Sequence, residues 1–231
     1  MFFIKQLLTL HLKVLFMKDK KQYLESIHEI RSIMERSSKF MSLSGLSGIA
    51  AGITALISGA IAYVHLGFKL SYKGAIDYST HNQDVVPHEQ ILFFLLLAAA
   101  TIFIAITFAF IFTRRNAKKK NLPIWDKTAK LVTLNMLIPL ITGGLFVLAL
   151  VFKFGMYELV APSTLIFYGL ALINASKYTV SQTHWLGMAE IAIGLLALIF
   201  YGYGLLFWMI GFGIFHIIYG IILYNTFERN N

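Results

Sequence analysis

The sequence predicts an all-α membrane protein, a bundle of six transmembrane helices preceded by a cytoplasmic amphipathic helix. Its composition is 58% hydrophobic and only 13% charged, with a mean hydropathy of +0.71. An ordinary soluble domain is about 45–50% apolar and about 25% charged. Six segments are apolar and long enough to cross a bilayer, and the basic residues concentrate in the short loops between them. These observations together favour a polytopic membrane protein over a soluble domain.

The six apolar segments define the predicted membrane domain, because a hydrocarbon core of about 30 Å requires about 20 apolar helical residues. Spans one to six cover about 41–66, 91–113, 130–152, 158–176, 184–202 and 204–224. Span two includes AAATIFIAITFAFIF, a run without any charged residue. The predicted organisation is therefore an N-terminal segment over 1–40, a transmembrane domain over 41–224 and a cytoplasmic tail over 225–231.

The loop charges predict the orientation of the bundle. The first forty residues hold eight Lys and Arg, the loop 114–130 holds seven, and Lys177 and Arg229 bring one side to seventeen, against three on the other. Cytoplasmic loops carry such an excess, so we expect both termini in the cytoplasm and a location in the inner membrane. The net charge of +9 then reflects this orientation and gives no reason to expect nucleic acid. The absence of cysteine excludes disulfides and thiolate chemistry.

The N-terminal segment contains an amphipathic helix, predicted over about 19–38. Its apolar stripe recurs at helical spacing and consists of Tyr23, Ile27, Ile30 and Met34. Two interpretations remain open: the helix lies on the bundle or membrane surface, or it docks a cytoplasmic partner or a second protomer. The preceding stretch MFFIKQLLTLHLKVLF is either an interfacial helix or the product of an upstream start, with Met17 as the true first residue.

Span one presents a face of small residues at helical spacing. Small faces let transmembrane helices approach closely. The face is predicted either to pack within the bundle or to form the seam of a homodimer. Its members are Ser44, Gly48, Gly52, Ala55 and Gly59.

Spans five and six carry an isolated carboxylate, Glu190, and an isolated imidazole, His216. Each lies twelve residues from the predicted turn at 202–204, which corresponds to about 18–20 Å at 1.5 Å per residue. Two ionisable groups at matching depth relieve each other's desolvation cost if they meet. We therefore predict a Glu190–His216 pair across the hairpin, acting either as a structural clamp or as a functional site.

Both polar residues stand on glycine-bearing helix faces. Glycines three positions before and four positions after each residue predict tightly packed surfaces there; they are Gly187 and Gly194 in span five, and Gly213 and Gly220 in span six. Asn135 in span three and Asn174 in span four are candidates to extend the polar cluster.

Other candidate sites are weaker. The outer loop holds His81, Asp84 and His88, but scattered His and Asp in a polar loop rarely bind a metal, so we predict neither a metal nor a cofactor. The chain lacks HExxH, P-loop, GxSxG and GxGD patterns. No catalytic residue is predicted, and an enzymatic activity is not favoured.

Two strings resemble a known group of proteins. ERSSKFMSLSGLSGIAAG at 35–52 and YGLALINASKYT at 168–179, together with the closing hairpin, are similar to small six-span bacterial inner-membrane proteins without an assigned activity. The resemblance covers most of the chain from about Met17 and implies a topology alone.

Three functions are compatible with these features. The favoured one is a non-enzymatic membrane sensor or scaffold that binds a lipid, a small apolar ligand or a partner protein. The alternative is a small proton-coupled transporter or permease that uses the Glu190–His216 pair. A membrane-embedded enzyme acting on lipid or isoprenoid substrates would need more than one acid–base pair, so it ranks third.

Overall fold

The computed structural model describes residues 44–67, 87–121, 123 and 125–229. Over these residues the chain is helical, without strands, and six helices are long and apolar enough to cross a membrane. They are Gly45–His65, His88–Lys119, Lys127–Phe154, Tyr157–Ser176, Ser181–Ile199 and Gly204–Phe227, which we keep as spans one to six. The predicted fold class is confirmed. The predicted amphipathic helix at 19–38 lies outside the described residues, and so do Met1 and Met17, the two candidate first residues.

Span two differs most from its predicted length. The helix runs for 32 residues, to Lys119, whereas hydropathy places its apolar part at 91–113. A 32-residue helix is about 48 Å long, well beyond the hydrocarbon core of about 30 Å. The basic residues at 114–119 therefore extend the same helix past the apolar segment. The end of the bundle that carries them is called the basic end below.

Spans three and six change helix type along their length. Span three is α-helical over Lys127–Ala149 and π-helical over Leu150–Phe154. Span six is α-helical over Gly204–Trp208, π-helical over Met209–Phe215 and α-helical again over His216–Phe227. Single π turns within α-helices are frequent at functional sites, and the one in span six ends directly before His216.

The turn between spans five and six lies where the sequence predicts it. Span five ends at Ile199 and span six begins at Gly204. Gly202 has a φ of 97°, a backbone conformation that glycine adopts without steric cost. The two spans are therefore antiparallel neighbours along the chain.

The packing order of the spans differs from their order in the chain. Span two packs chiefly against span one, span one against span six, span four against span five, and span three against span four. Span six also contacts spans four and five. The bundle core therefore lies among spans one, four, five and six, and spans two and three are peripheral.

The outer surface of the bundle is strongly apolar. Phe103 is 72% exposed, Leu145 64% and Ile199 73%. Soluble monomers rarely expose contiguous apolar surface on this scale, so the surroundings of these spans are lipid rather than water. This agrees with a multi-pass membrane protein.

Two carboxylates cap helix N-termini at the basic end. The Glu228 carboxylate accepts hydrogen bonds from the Gly45 N–H and, at 3.2 Å, from the Ser44 hydroxyl. Asp126 accepts a 2.6 Å bond from the Ala129 N–H at the start of span three. Anionic groups are favourable at the positive end of a helix dipole. Glu228 thereby fastens the end of span six to the beginning of span one.

Candidate functional site

A polar cluster in the bundle core joins three spans. His216 of span six places its Nδ1 atom 3.4 Å from Oε1 of Glu190 in span five. Its other ring nitrogen, Nε2, lies 2.8 Å from the hydroxyl of Tyr168 in span four. The structure thus brings together the two residues that the sequence pairs, and it adds Tyr168. We call Glu190, His216 and Tyr168 the polar core.

The backbone of span six fixes the tautomer of His216. The Gly211 carbonyl lies 3.1 Å from Nδ1, and a carbonyl oxygen accepts but never donates a hydrogen bond. Nδ1 therefore carries a proton. In a neutral imidazole Nε2 is then the acceptor, and the Tyr168 hydroxyl donates to it. The π-helical turn thus orients the ring so that its Nδ1–H also faces Glu190.

Glu190 is enclosed without the donors that a carboxylate requires. Its exposed fraction is 0%, and neither carboxylate oxygen has a hydrogen-bond partner among the described residues. The Oε1–Nδ1 distance of 3.4 Å exceeds the 2.7–3.2 Å typical of N–H···O bonds. A buried polar group without such bonds is energetically costly. The carboxylate is therefore not explained as a folding contact.

A glycine makes room for this carboxylate. A Cβ atom on Gly211 would lie 2.5 Å from Oε2 of Glu190 and 2.5 Å from Cδ2 of Leu165. Real Cβ atoms do not come that close to other heavy atoms. Gly211 thus serves the site in two ways, since its carbonyl binds His216 and its missing side chain admits Glu190.

Aromatic and hydroxyl groups enclose the polar core on both sides. Phe212 lies 4.9 Å from Tyr168 and 5.1 Å from Trp208, measured between ring centroids. Toward the basic end, the Thr183 and Tyr219 hydroxyls are hydrogen-bonded at 2.9 Å. The core is thus flanked by an aromatic layer on one side and by a hydroxyl pair on the other. Chemically, the polar core places a carboxylate and an imidazole, two groups that can each bind a proton, next to each other.

The glycine faces of spans five and six pack against other helices and not against each other. A Cβ on Gly187 would meet the Gly169 carbonyl and one on Gly194 would meet Leu165, both in span four. A Cβ on Gly213 would meet Leu56, and one on Gly220 would meet the Gly45 carbonyl, both in span one. The predicted close packing is present, with spans four and one as the partners.

The small face of span one packs within the bundle. Gly48 lies against Gly220, and Gly52 against the carbonyl of Gly213. Gly59 approaches Met209. Of the two interpretations of this face, the structure places it in intramolecular contact with span six.

The two asparagines form a separate group. Asn174 donates a 2.9 Å bond to the backbone carbonyl of Asn135, whose own amide donates to Leu131 at 2.8 Å. Lys177 donates to Asn174 at 3.2 Å. The bond from Asn174 to Asn135 ties span four to span three, and in the described part of the chain none of these bonds reaches the polar core. Tyr168, rather than the two candidate asparagines, extends the Glu190–His216 pair.

The weak metal candidates stay untested. His81 and Asp84 lie outside the described residues, and His88 begins span two. Among the residues that the structure describes, no group of three or more His, Cys, Asp or Glu could hold a metal ion.

A second feature lies on the lipid-facing side, between spans one and two. A groove of about 470 Å³ runs along the two helices. From span one it is lined by Ala50, Ile53, Thr54, Ile57, Ser58 and Ile61, and from span two by Leu97, Ala100, Thr101, Ile104, Phe108 and Phe112. We call it the lateral groove. Spans five and six take no part in it.

The hydroxyls of the lateral groove are already engaged. Thr101 donates to the Leu97 carbonyl at 2.7 Å, so Ser58 is the donor in the 2.6 Å bond between the Ser58 and Thr101 hydroxyls. Thr54 donates to the Ala50 carbonyl at 2.8 Å. The groove therefore offers an occupant an almost wholly apolar surface.

Comparison with known proteins gives no relative: no protein-family model, no curated protein and no solved structure matches this chain. Its function has to be inferred from the geometry of the polar core and the lateral groove.

Proposed function

We propose that this chain is a non-enzymatic membrane sensor or scaffold that binds an acyl chain of a lipid in the lateral groove. We further propose that it lies in the inner membrane with both termini in the cytoplasm, because seventeen of its twenty Lys and Arg fall on that side. The observation that carries the proposal is the position of the groove.

The groove opens sideways toward the bilayer. Three isoleucines along its walls, Ile53, Ile57 and Ile104, are between 42% and 57% exposed. Burial of apolar surface is favourable in water, but in a bilayer lipid tails already surround such side chains. What distinguishes the groove is its concave shape, which lets one chain contact two helices at once. Because lipid tails surround the spans, an acyl chain is the expected occupant of the groove.

Adjacent alanines of span two provide a matched test. Both are exposed, but Ala100 lines the groove and Ala99 does not. A phospholipid with a photoreactive acyl chain would be incorporated with the protein into liposomes, and crosslinks would be mapped by mass spectrometry. We expect Ala100→Phe to reduce crosslinking to spans one and two several-fold and Ala99→Phe to leave it unchanged. Equal labelling of all three proteins would contradict lipid binding in the groove.

A second candidate, a small proton-coupled transporter or permease, is favoured by one observation. Glu190 is buried without hydrogen-bond partners among the described residues, which is unusual for a group kept only for stability. In this function Glu190 and His216 would exchange the transported proton.

Proton movement into liposomes separates the two candidates. A pH-sensitive dye inside the vesicles would report flux for wild type, Glu190→Gln and the control Glu89→Gln, whose carboxylate is exposed at the beginning of span two. A transporter loses flux in Glu190→Gln alone. A sensor or scaffold gives the same passive leak in all three samples.

A further inference from the structure

Beyond the apolar part of span two, the stripe that lines the lateral groove continues into basic residues. Thr101, Phe108 and Phe112 belong to the lining, and steps of three and four residues lead from Phe112 to Arg115 and Lys119. Residues at this spacing share one face of a helix, and the helix is continuous to Lys119. Both basic side chains are exposed. The groove thus has Arg115 and Lys119 at its basic end, on the same helix face.

The basic end of span two has no acidic counterpart nearby in the chain. The stretch RRNAKKKN at 114–121 contains five Lys and Arg and no Asp or Glu. The next carboxylate along the chain is Asp126, which caps span three through Ala129. In the described part of the chain neither Arg115 nor Lys119 forms an ion pair with a carboxylate, so both can complement an anion that reaches the end of the groove.

The groove also has the length that a lipid chain requires. From Leu97 to Phe112 its lining extends over sixteen residues of span two, a rise of about 22 Å along the helix. This exceeds half of the hydrocarbon thickness of about 30 Å, the depth of one leaflet. A lipid whose acyl chain lies in the groove would have its headgroup beyond Phe112, at the level of Arg115.

We propose that the lateral groove is a site for an anionic phospholipid, with one acyl chain along spans one and two and the headgroup phosphate against Arg115 and Lys119. The inference rests on the proposed lipid-binding function and adds the chemical class of the lipid. A zwitterionic lipid carries its own ammonium group and gains less from two cations. Each basic residue near a membrane surface strengthens anionic-lipid binding by about five-fold.

Selectivity between two lipids with identical acyl chains tests this proposal. Purified protein in detergent would be titrated with phosphatidylglycerol and with phosphatidylcholine, and bound lipid would be counted by native mass spectrometry. We expect wild type to prefer phosphatidylglycerol by more than ten-fold. The double variant Arg115→Gln/Lys119→Gln should lose most of that preference and still bind phosphatidylcholine as wild type does.

A second double variant controls for total charge. Arg114→Gln/Lys120→Gln removes the same charge from positions that helical spacing places off the groove face, and it should keep the preference. Equal binding of both lipids to wild type, or equal losses in the two double variants, would overturn the proposal while leaving groove binding intact. If Ala100→Phe changes the binding of neither lipid, the lipid-binding function itself fails.

Discussion

Replacing Glu190 with glutamine tests whether the carboxylate serves folding. The substitution keeps the shape of the side chain and removes its capacity to ionise. Neither oxygen of Glu190 accepts a hydrogen bond from a described residue, so glutamine loses no such bond. Burying an ionised carboxylate costs several kcal/mol, whereas burying a neutral amide costs about 1–3 kcal/mol. We therefore expect the free energy of unfolding to stay within about 1 kcal/mol of wild type or to rise.

Two companion variants calibrate this result. Tyr168→Phe removes the 2.8 Å bond to His216, which corresponds to a loss of about 1 kcal/mol. His216→Ala removes that bond, the contact with the Gly211 carbonyl and the packing of a buried ring. It should cost more, about 2–4 kcal/mol.

The assay is reversible unfolding in mixed micelles, monitored by tryptophan fluorescence for all four proteins. A loss of about 3–5 kcal/mol in Glu190→Gln, the cost of breaking a buried ion pair, would refute the reasoning. The carboxylate would then hold His216 in place, and the polar core would be a clamp between spans five and six. Unchanged stability would mean that Glu190 is not required for folding, and the proton-flux measurement would then test whether it carries protons.

Two further predictions concern helix contacts. Gly187→Ala should destabilise the bundle by about 1–3 kcal/mol, because its Cβ would lie 2.8 Å from the Gly169 carbonyl. The control Gly144→Ala should be neutral or slightly stabilising, because no atom lies within 4 Å of its new Cβ. Glu228→Ala should cost about 1–2 kcal/mol, since the N–H of Gly45 loses its carboxylate cap. The free energy of unfolding of each variant is measured by the same assay. Equal stability of the two glycine variants would contradict the close contact at Gly187, and an unchanged stability of Glu228→Ala would contradict the capping role of Glu228.

The number of spans could be predicted because hydropathy is a local property of the sequence. The packing partners could not, since they depend on contacts between spans that are far apart in the chain. Gly187 and Gly220 were expected at close contacts; in the structure Gly187 packs on span four and Gly220 on span one. A glycine identifies a face that is approached closely and carries no information about which helix approaches it.

The polar core was predicted in part for a similar reason. Ionisable residues in apolar spans stand out, so Glu190 and His216 were visible, whereas Tyr168 resembles an ordinary packing residue. Its position along span four could have identified it. Tyr168 lies eight residues before the end of its span and Glu190 nine after the start of the next, so the two residues lie at a similar depth. Gly211 could not be singled out, since the π-helical turn that gives it its role has no local sequence signature.

Span one connects the two sites of this protein. One face packs on span six, where Gly52 lies against the Gly213 carbonyl, and the opposite face contributes Ile53 and Ile57 to the lateral groove. A lipid that alters the position of span one must also alter its contact with span six, close to His216. Linkage between two binding events is reciprocal, so lipid affinity measured in the Glu190→Gln variant reports on this connection. A changed affinity would mean that the polar core senses the groove, and an unchanged one that the two sites are independent.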